Sequence, residues 1–461
     1  MTGGPVVVVG SGAAGLAAAL GAAGAGGDVV VLERNDTVGG TTALSGGIAW
    51  IPANAAMTRA GIEDSPAAAA RYLDGIVAAG ADRELLAAFV ADAARVADEI
   101  ERRTPLIWEA LSTWPDYRAE KDGAGTGGRS LWPRPLALPA AVEGRIHPAP
   151  DQPVPDGGAR NDGVVLRGPV RGRALVGALL AGADGAGVDV RTGVRVTGLV
   201  VEDGAVVGVR AGDEVVRGAV VLATGGFQHD AALAARYLAS DTGSTVAPMG
   251  TPSCDGDGLR LASDVGVEVA NMDDGWWMPA LAVPGEELDG AAYFRPLHGE
   301  RAQPGAVMVD GTGRRFVNEA QNYGDVGQAM AGTVGPCWMI FDAAYRQRYP
   351  LGPVGPNDPD PRWMHVADDL AGLARALALP AGTLEATVTT FNLGAQGGTD
   401  PEFGRGSLPY DRWIGDPAAA HPTLAPLRRG PYYAVAVHRG CMGTKGGPRT
   451  DDRGRVRAGT G

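Results

Sequence analysis

The sequence predicts an α/β architecture, a Rossmann-like nucleotide-binding domain with a mixed α+β domain set into it. Three observations predict it. A continuous β-branched run at residues 6–9 (VVVV) meets the glycine turn GSGAAG and then an Ala/Leu-rich stretch. Such a run reads as a buried parallel strand feeding a helix. A second run, residues 29–32, ends in Glu33, about twenty residues on, the spacing at which a carboxylate reaches a ribose. A third, residues 219–223, lies far downstream and again ends on glycine, in Thr224-Gly225-Gly226.

The first turn carries GxGxxG. Gly10 permits the tight bend, Gly12 lets a pyrophosphate approach the backbone, and Gly15 lets helix and strand pack closely. Ser11, Ala13 and Ala14 complete the loop, and the helix start turns its free N–H groups and positive dipole end toward the anion. Glu33 and Arg34 open the next segment, ERNDTVGGTTALSGGIAWIPAN, whose Gly40, Thr41, Thr42, Ser45, Gly46 and Gly47 offer backbone and small hydroxyls to a second phosphate and a flavin edge. An NAD enzyme proceeds from its second strand to a helix without such a loop. Residues 188–201, which include Val196, and 205–209 alternate as short strands, and the downstream Ala223, Thr224 and Gly225 add a second close backbone approach. FAD is long enough to need several contact segments, so FAD is the expected cofactor.

The totals bound the rest. The 461 residues leave room for two sizeable domains. With 45% apolar and 20% charged residues the chain is globular, not disordered. The 72 glycines and 33 prolines are scattered, which excludes collagen and linker readings. A net charge of −13 argues against nucleic acid, which needs a basic surface. Cys254, Cys337 and Cys441 lie far apart, form no CxxC and read as small buried hydrophobes in a reducing cytoplasm. MTGGP runs straight into a strand, so no secretory leader is expected, and residues 13–27 are too short to span a bilayer. The six histidines lack HxxxH or HxxE spacing, so no metal is expected. No GxSxG or Cys/His arrangement marks nucleophilic catalysis.

The pieces VVVVGSGAAG, GGTTALSGGIAWIPAN, VVLATGGF, GDGLRLA, GRRFVNEAQNY and GTKGG together resemble flavoproteins of the fumarate reductase/succinate dehydrogenase superfamily, and among them the 3-ketosteroid Δ1-dehydrogenases. The first and third mark the superfamily; ALSGGIAWIPAN and GTKGG point to the steroid branch. The resemblance implies an α/β FAD-binding domain of glutathione-reductase type with an inserted α+β substrate/catalytic domain. The FAD-binding domain is expected over 1–278, with a helical insertion at about 60–113 and a loop at 114–170. The substrate domain is expected over 279–430, and 431–461 is expected to return to the FAD-binding domain as a strand and a last hairpin. In the family a further segment supplies a tyrosine and a backbone N–H for the substrate carbonyl. The chain ends at Gly461 with no candidate for it, so a truncated chain is expected.

Such enzymes remove two hydrogens beside a ring ketone, which requires a base for the weakly acidic proton and an acceptor for hydride. The resemblance places the proton-abstracting tyrosine at Tyr323 and an assisting tyrosine at Tyr117, and sets Asp257 near the flavin. An Asp beginning a helix also reads as an ordinary N-cap. Arg314 and Arg315 read as hairpin braces. Trp276 and Trp277 could line an apolar pocket, though such pairs also fill cores. The expected substrate is a small apolar ketone of 3-ketosteroid type, with an unidentified electron acceptor. Three alternatives stand beside it: a fumarate-reductase-like enzyme acting on a small dicarboxylate, a Δ4-ketosteroid dehydrogenase, and a catalytically incomplete FAD-binding protein.

Overall fold

The computed structural model describes residues 4–78, 80–150, 170–240, 242 and 245–459. The part of the expected loop at 151–169, and the last two residues, lie outside the described residues.

The nucleotide domain is built on a parallel sheet in the order Ala219–Leu222, Val6–Val9, Val29–Leu32, Asp189–Arg191. Alternation of side chains along these strands divides the core in two. Val8, Val29 and Val31 face the helices Ala13–Gly24 and Arg171–Gly185. Val7, Val9, Val30 and Leu32 face the other way, onto Val196, Val209 and Leu261 and an antiparallel meander of Gly198–Glu202, Ala205–Ala211 and Glu214–Arg217. Strands buried on both faces need apolar side chains at every position, which is why the runs are unbroken valine.

The stretch read as a helical insertion forms Pro66–Ile76 and Arg83–Arg103. Ser65 caps the first through the Ala68 N–H, with Pro66 at its first position, and Asp82 caps the second through the N–H groups of Glu84 and Leu85. The stretch read as loop also holds a strand, Ser130–Pro133, paired with Trp108–Ala110 and Ala49–Trp50.

The second sheet runs Ala291–Pro296, Gly275–Leu288, Tyr432–Thr444, Cys337–Asp342, Ala306–Val309. Residues 431–437 are expected as a strand returning to the nucleotide domain; instead they open Tyr432–Thr444, the central strand here, antiparallel to Gly275–Leu288 and Cys337–Asp342. Its apolar first half is buried between the partners on either side. Only its far end reaches back, where Thr444 Oγ1 accepts from the Phe227 N–H at 3.2 Å. The two sheets therefore meet at the glycines that follow Thr224.

Candidate active site

A cleft of about 1420 Å³ runs along the C-terminal ends of the first sheet's strands. Gly10, Ser11, Gly12, Ala13, Ala14, Glu33, Arg34, Gly40, Thr41, Thr42, Val196, Ala223, Thr224, Gly225 and Asp257 line it. Gly15, Ser45, Gly46 and Gly47 do not, and their contacts explain why. A Cβ on Gly15 would sit 1.9 Å from the Gly10 carbonyl oxygen, so this glycine serves helix–strand packing. Ser45 Oγ donates to Thr42 O at 2.8 Å and accepts from Gly47 N at 3.0 Å, closing a local turn against Gly172.

The three motif glycines answer to different demands. Gly10 has φ +104°, and a Cβ there would meet Ala223 O at 2.4 Å, so the protein itself requires glycine. Gly12 has an ordinary φ of −66°, and its Cβ would find nothing closer than Thr42 Oγ1 at 3.6 Å. The space beside Gly12 is thus left open on the cleft side, at the start of a helix with no side-chain cap. That is the cradle a pyrophosphate needs, and the residues present fit FAD on this ground.

Glu33 is buried and already committed: one oxygen accepts from Ser11 N at 3.0 Å and Ser11 Oγ at 2.6 Å, the other from Asn35 N at 2.9 Å. It holds the turn rigid while facing the cleft. Asp257 is the first helical residue after Gly256, not the cap. It binds Arg34 at 3.0 Å and Arg195 at 2.8 Å, so its charge is matched at the cleft edge.

Beyond the glycine end of the cleft lies a cluster of aromatic residues. Tyr117 Oη donates to Tyr323 Oη at 2.9 Å, with the rings edge-to-face at 5.4 Å. Neither lines the nucleotide cleft. Tyr323 packs with Met249, Met278 and Met442, and the Gln228 amide donates to the carbonyls of Met249 at 3.1 Å and Met442 at 3.5 Å. Gln228 directly follows the cleft-lining Gly225, Gly226 and Phe227.

Two frameworks hold the phenols. Asp116, next to Tyr117, accepts from Arg129 at 2.7 Å and from Trp50 Nε1 at 2.7 Å, and Arg129 also binds Asp64 at 2.6 Å. This buried triad pins the Tyr117 loop onto the helical insertion. Tyr323 begins the helix Tyr323–Ala329, where Asn322 caps through the Asp325 N–H at 3.0 Å. Upstream, Arg315 binds Glu319 and Asp400, each at 2.8 Å, which ties the segment before Tyr323 to the loop at Asp400. Trp277 is buried beneath the Arg439 guanidinium at 3.6 Å, whereas Trp276 is largely exposed.

Burial pushes all three clustered phenols up. Tyr117 and Tyr410 are held far above the ordinary phenol range. The rise at Tyr323 is opposed by the Tyr117 hydrogen bond and by the charge of Arg301. Burial, then Arg301, pulls the His298 imidazole down to about 3, so it is neutral at physiological pH. His298 lies 5.5 Å from Tyr323, and Tyr410 lies 5.1 Å from Tyr117, ring to ring. Trp114 and Trp413, 4.4 Å apart, close the cluster. His298, Arg301 and Tyr410 carry no local motif; Arg301 lies on the short helix Glu300–Ala302 and Tyr410 on Pro409–Ile414, and the tertiary fold brings them to Tyr323. Among the described residues no group of three His, Cys, Asp or Glu could hold a metal ion, and no helix is long and apolar enough to cross a membrane.

The open space beside Gly12 fits a dinucleotide-linked flavin, and Gln228 joins the Gly225–Phe227 rim of the cleft to the methionines clustered with Tyr323. The family model described as FAD binding domain matches residues 5–461. The chain is 37% identical to 4-oxocyclohexanecarboxylate 2-dehydrogenase of Sinomonas cyclohexanicum, over 98% of this chain and 84% of that one. It is 36% identical to 3-oxosteroid 1-dehydrogenase of Mycobacterium tuberculosis, over 98% and 89%. The structure matches 3-ketosteroid Δ1-dehydrogenase of Sterolibacterium denitrificans, in complex with 1,4-androstadiene-3,17-dione, with a TM-score of 0.88 at 30% identity, covering 98% and 92%. The chain belongs to the FAD-binding family that includes the 3-oxosteroid 1-dehydrogenases. It is an FAD-dependent oxidoreductase acting on CH–CH groups.

Proposed function

We propose that the protein dehydrogenates a 3-ketosteroid at C1 and C2, with Tyr323 as the proton acceptor. The observation that carries this reading is the half-buried phenol pair, Tyr117 Oη to Tyr323 Oη at 2.9 Å, one layer beyond the Gly225–Gly226 end of the cleft. A proton beside a ketone is weakly acidic and leaves only to a strong base. The Tyr323 phenolate is such a base in a water-poor setting. Tyr117 donates to it without titrating, because burial holds its own phenol far up. A hydrogen bond to a charged oxygen is stronger than one to a neutral oxygen, so this donor favours the phenolate. Trp114, Trp413 and Tyr410 keep bulk water away, and neutral His298 adds no competing charge. Bound FAD supplies the acceptor for the hydride that leaves C1. Gly12 and the helix start behind it would hold its pyrophosphate.

A second reading is a small monocyclic ring ketone, favoured by the 37% identity to the 4-oxocyclohexanecarboxylate enzyme. It needs the same proton acceptor. Anaerobic mixing of the holoprotein with a 3-ketosteroid saturated at C1–C2 tests the choice. Flavin bleaching is expected in the wild type and absent in Tyr323→Phe, which keeps its FAD. Bleaching by 4-oxocyclohexanecarboxylate alone moves the assignment to the second reading. Undiminished bleaching in Tyr323→Phe removes Tyr323 from the role.

A further inference from the structure

Arg301 is a buried cation that hydrogen-bonds backbone carbonyls and no carboxylate. Arg129, Arg315 and Arg405 are buried too, but each bonds a carboxylate at 3.0 Å or less. Arg301, at 0% exposure, donates through Nε to Leu297 O at 3.1 Å and through Nη1 to the carbonyls of Glu319 and Gln321, the latter at 2.9 Å. Its Nη2 has no partner among the described residues. Glu300 and Asp411 are the nearby acids. Each keeps an unpartnered oxygen, and burial pushes both carboxyls up toward the neutral form. Burying a charge without a counter-charge is strongly unfavourable.

The carbonyls that hold Arg301 show where the field falls. Leu297 precedes His298, and Gln321 lies two residues before Tyr323. The guanidinium acts electrostatically on Tyr323 and on Tyr410, whose fully buried Oη is likewise unpartnered. The other groups around Tyr323 are Tyr117 across the hydrogen bond, His298 against its ring, Tyr410 behind Tyr117, and the Arg118–Asp325 pair at its own helix, 2.6 Å apart. The phenols are uncharged, His298 is neutral, and Arg118 is matched by Asp325. Arg301 is the positive charge of the cluster that hydrogen-bonds no carboxylate, with Glu300 and Asp411 acting on it from nearby.

We propose that Arg301 is a positioning residue for the dehydrogenation: its guanidinium, fixed by the carbonyls of Leu297, Glu319 and Gln321 rather than by a carboxylate, favours loss of the Tyr323 proton against the effect of burial. The proposal rests on the reading of Tyr323 as proton acceptor. The two oxygen-directed devices are complementary. Tyr117 acts at hydrogen-bond range and direction, and Arg301 acts by charge from its own fully buried position.

The test is ultraviolet difference titration of tyrosine in the intact holoprotein without substrate. Subtracting the Tyr323→Phe titration isolates Tyr323. In the wild type Tyr323 should ionise ahead of Tyr117 and Tyr410. Arg301→Gln should move its transition upward by about one pH unit, tenfold in acidity, while Arg301→Lys, which keeps the charge, should leave it near the wild-type position. An Arg301→Gln titration that overlays the wild type overturns the proposal. If Arg301→Gln does not fold, the order of the transitions decides. A Tyr323 transition that comes no earlier than those of Tyr117 and Tyr410, each isolated by its own Phe variant, overturns the proposal. Failure of the ketosteroid reading looks different: no ring ketone bleaches the flavin, yet the early Tyr323 transition is intact.

Discussion

Replacing Tyr117 by Phe removes one oxygen and little else. The edge-to-face contacts with Tyr323 at 5.4 Å and Tyr410 at 5.1 Å survive, as does the Asp116–Arg129 anchor beside it. What disappears is the 2.9 Å hydrogen bond to Tyr323 Oη. Such a bond contributes about 0.5–1.5 kcal/mol when the acceptor is neutral and about 1.5–3 kcal/mol when it is charged. The difference, roughly 1–2 kcal/mol, is the preference it gives to the phenolate. At about 1.4 kcal/mol per decade, flavin reduction by a ketosteroid should slow roughly 5–30-fold. The lost donor also lets burial push Tyr323 further up, so the rising limb of rate against pH should move about one unit to higher pH. Anaerobic stopped-flow reduction at saturating substrate measures both quantities. A Tyr117→Phe enzyme with the wild-type rate and an unmoved limb would refute the argument that this hydrogen bond prepares the base.

The motif glycines should separate by phenotype. Gly12→Ala places a Cβ in space the protein leaves open, so thermal unfolding without FAD should be unchanged while FAD affinity falls, read by titration of flavin fluorescence. Gly15→Ala drives a Cβ to within 1.9 Å of Gly10 O and should cost stability before any cofactor is added. Equal effects of the two changes on stability would count against the assignment. Alkaline conditions should destabilise the fold through its buried phenols. Burial pushes Tyr117, Tyr345, Tyr349 and Tyr410 above the ordinary value of 10.0. Above that pH the unfolded chain loses protons that the native state retains, so stability present below pH 10 declines as pH rises, by about 1.4 kcal/mol per unit for each such tyrosine. Denaturant unfolding between pH 8 and pH 11 checks the sign; a flat profile contradicts it.

The parts of the protein that were legible in the sequence are those made by neighbours in the chain. The cradle is a strand, a turn and a helix start written in about ten consecutive residues, because backbone at one bend makes the phosphate site. Gly15 is demanded by its contact with the Gly10 carbonyl five residues back, so the spacing itself carries that geometry, whereas Gly10 answers also to Ala223 on a strand far downstream. The insertion helices announce themselves through Ser65, Pro66 and Asp82 for the same reason. The strand at 432–444 was legible as a strand but not as the centre of a sheet, since apolar patterning records that a face is buried and not which strand buries it.

The phenol pair joins residues 206 positions apart, and it was found only through a family likeness. Its surroundings were not found at all. Arg301 and His298 come from one segment and Tyr410 from another more than a hundred residues on, and what unites them is burial, the largest influence on the titration of each. The chain by itself determined the α/β class and the FAD cradle, because those depend on local backbone conformation and on the periodicity of apolar side chains. Tertiary structure alone decided which side chains share a low-dielectric space, and so which phenol can lose its proton, because electrostatic coupling depends on distance through the folded interior and not on separation along the chain.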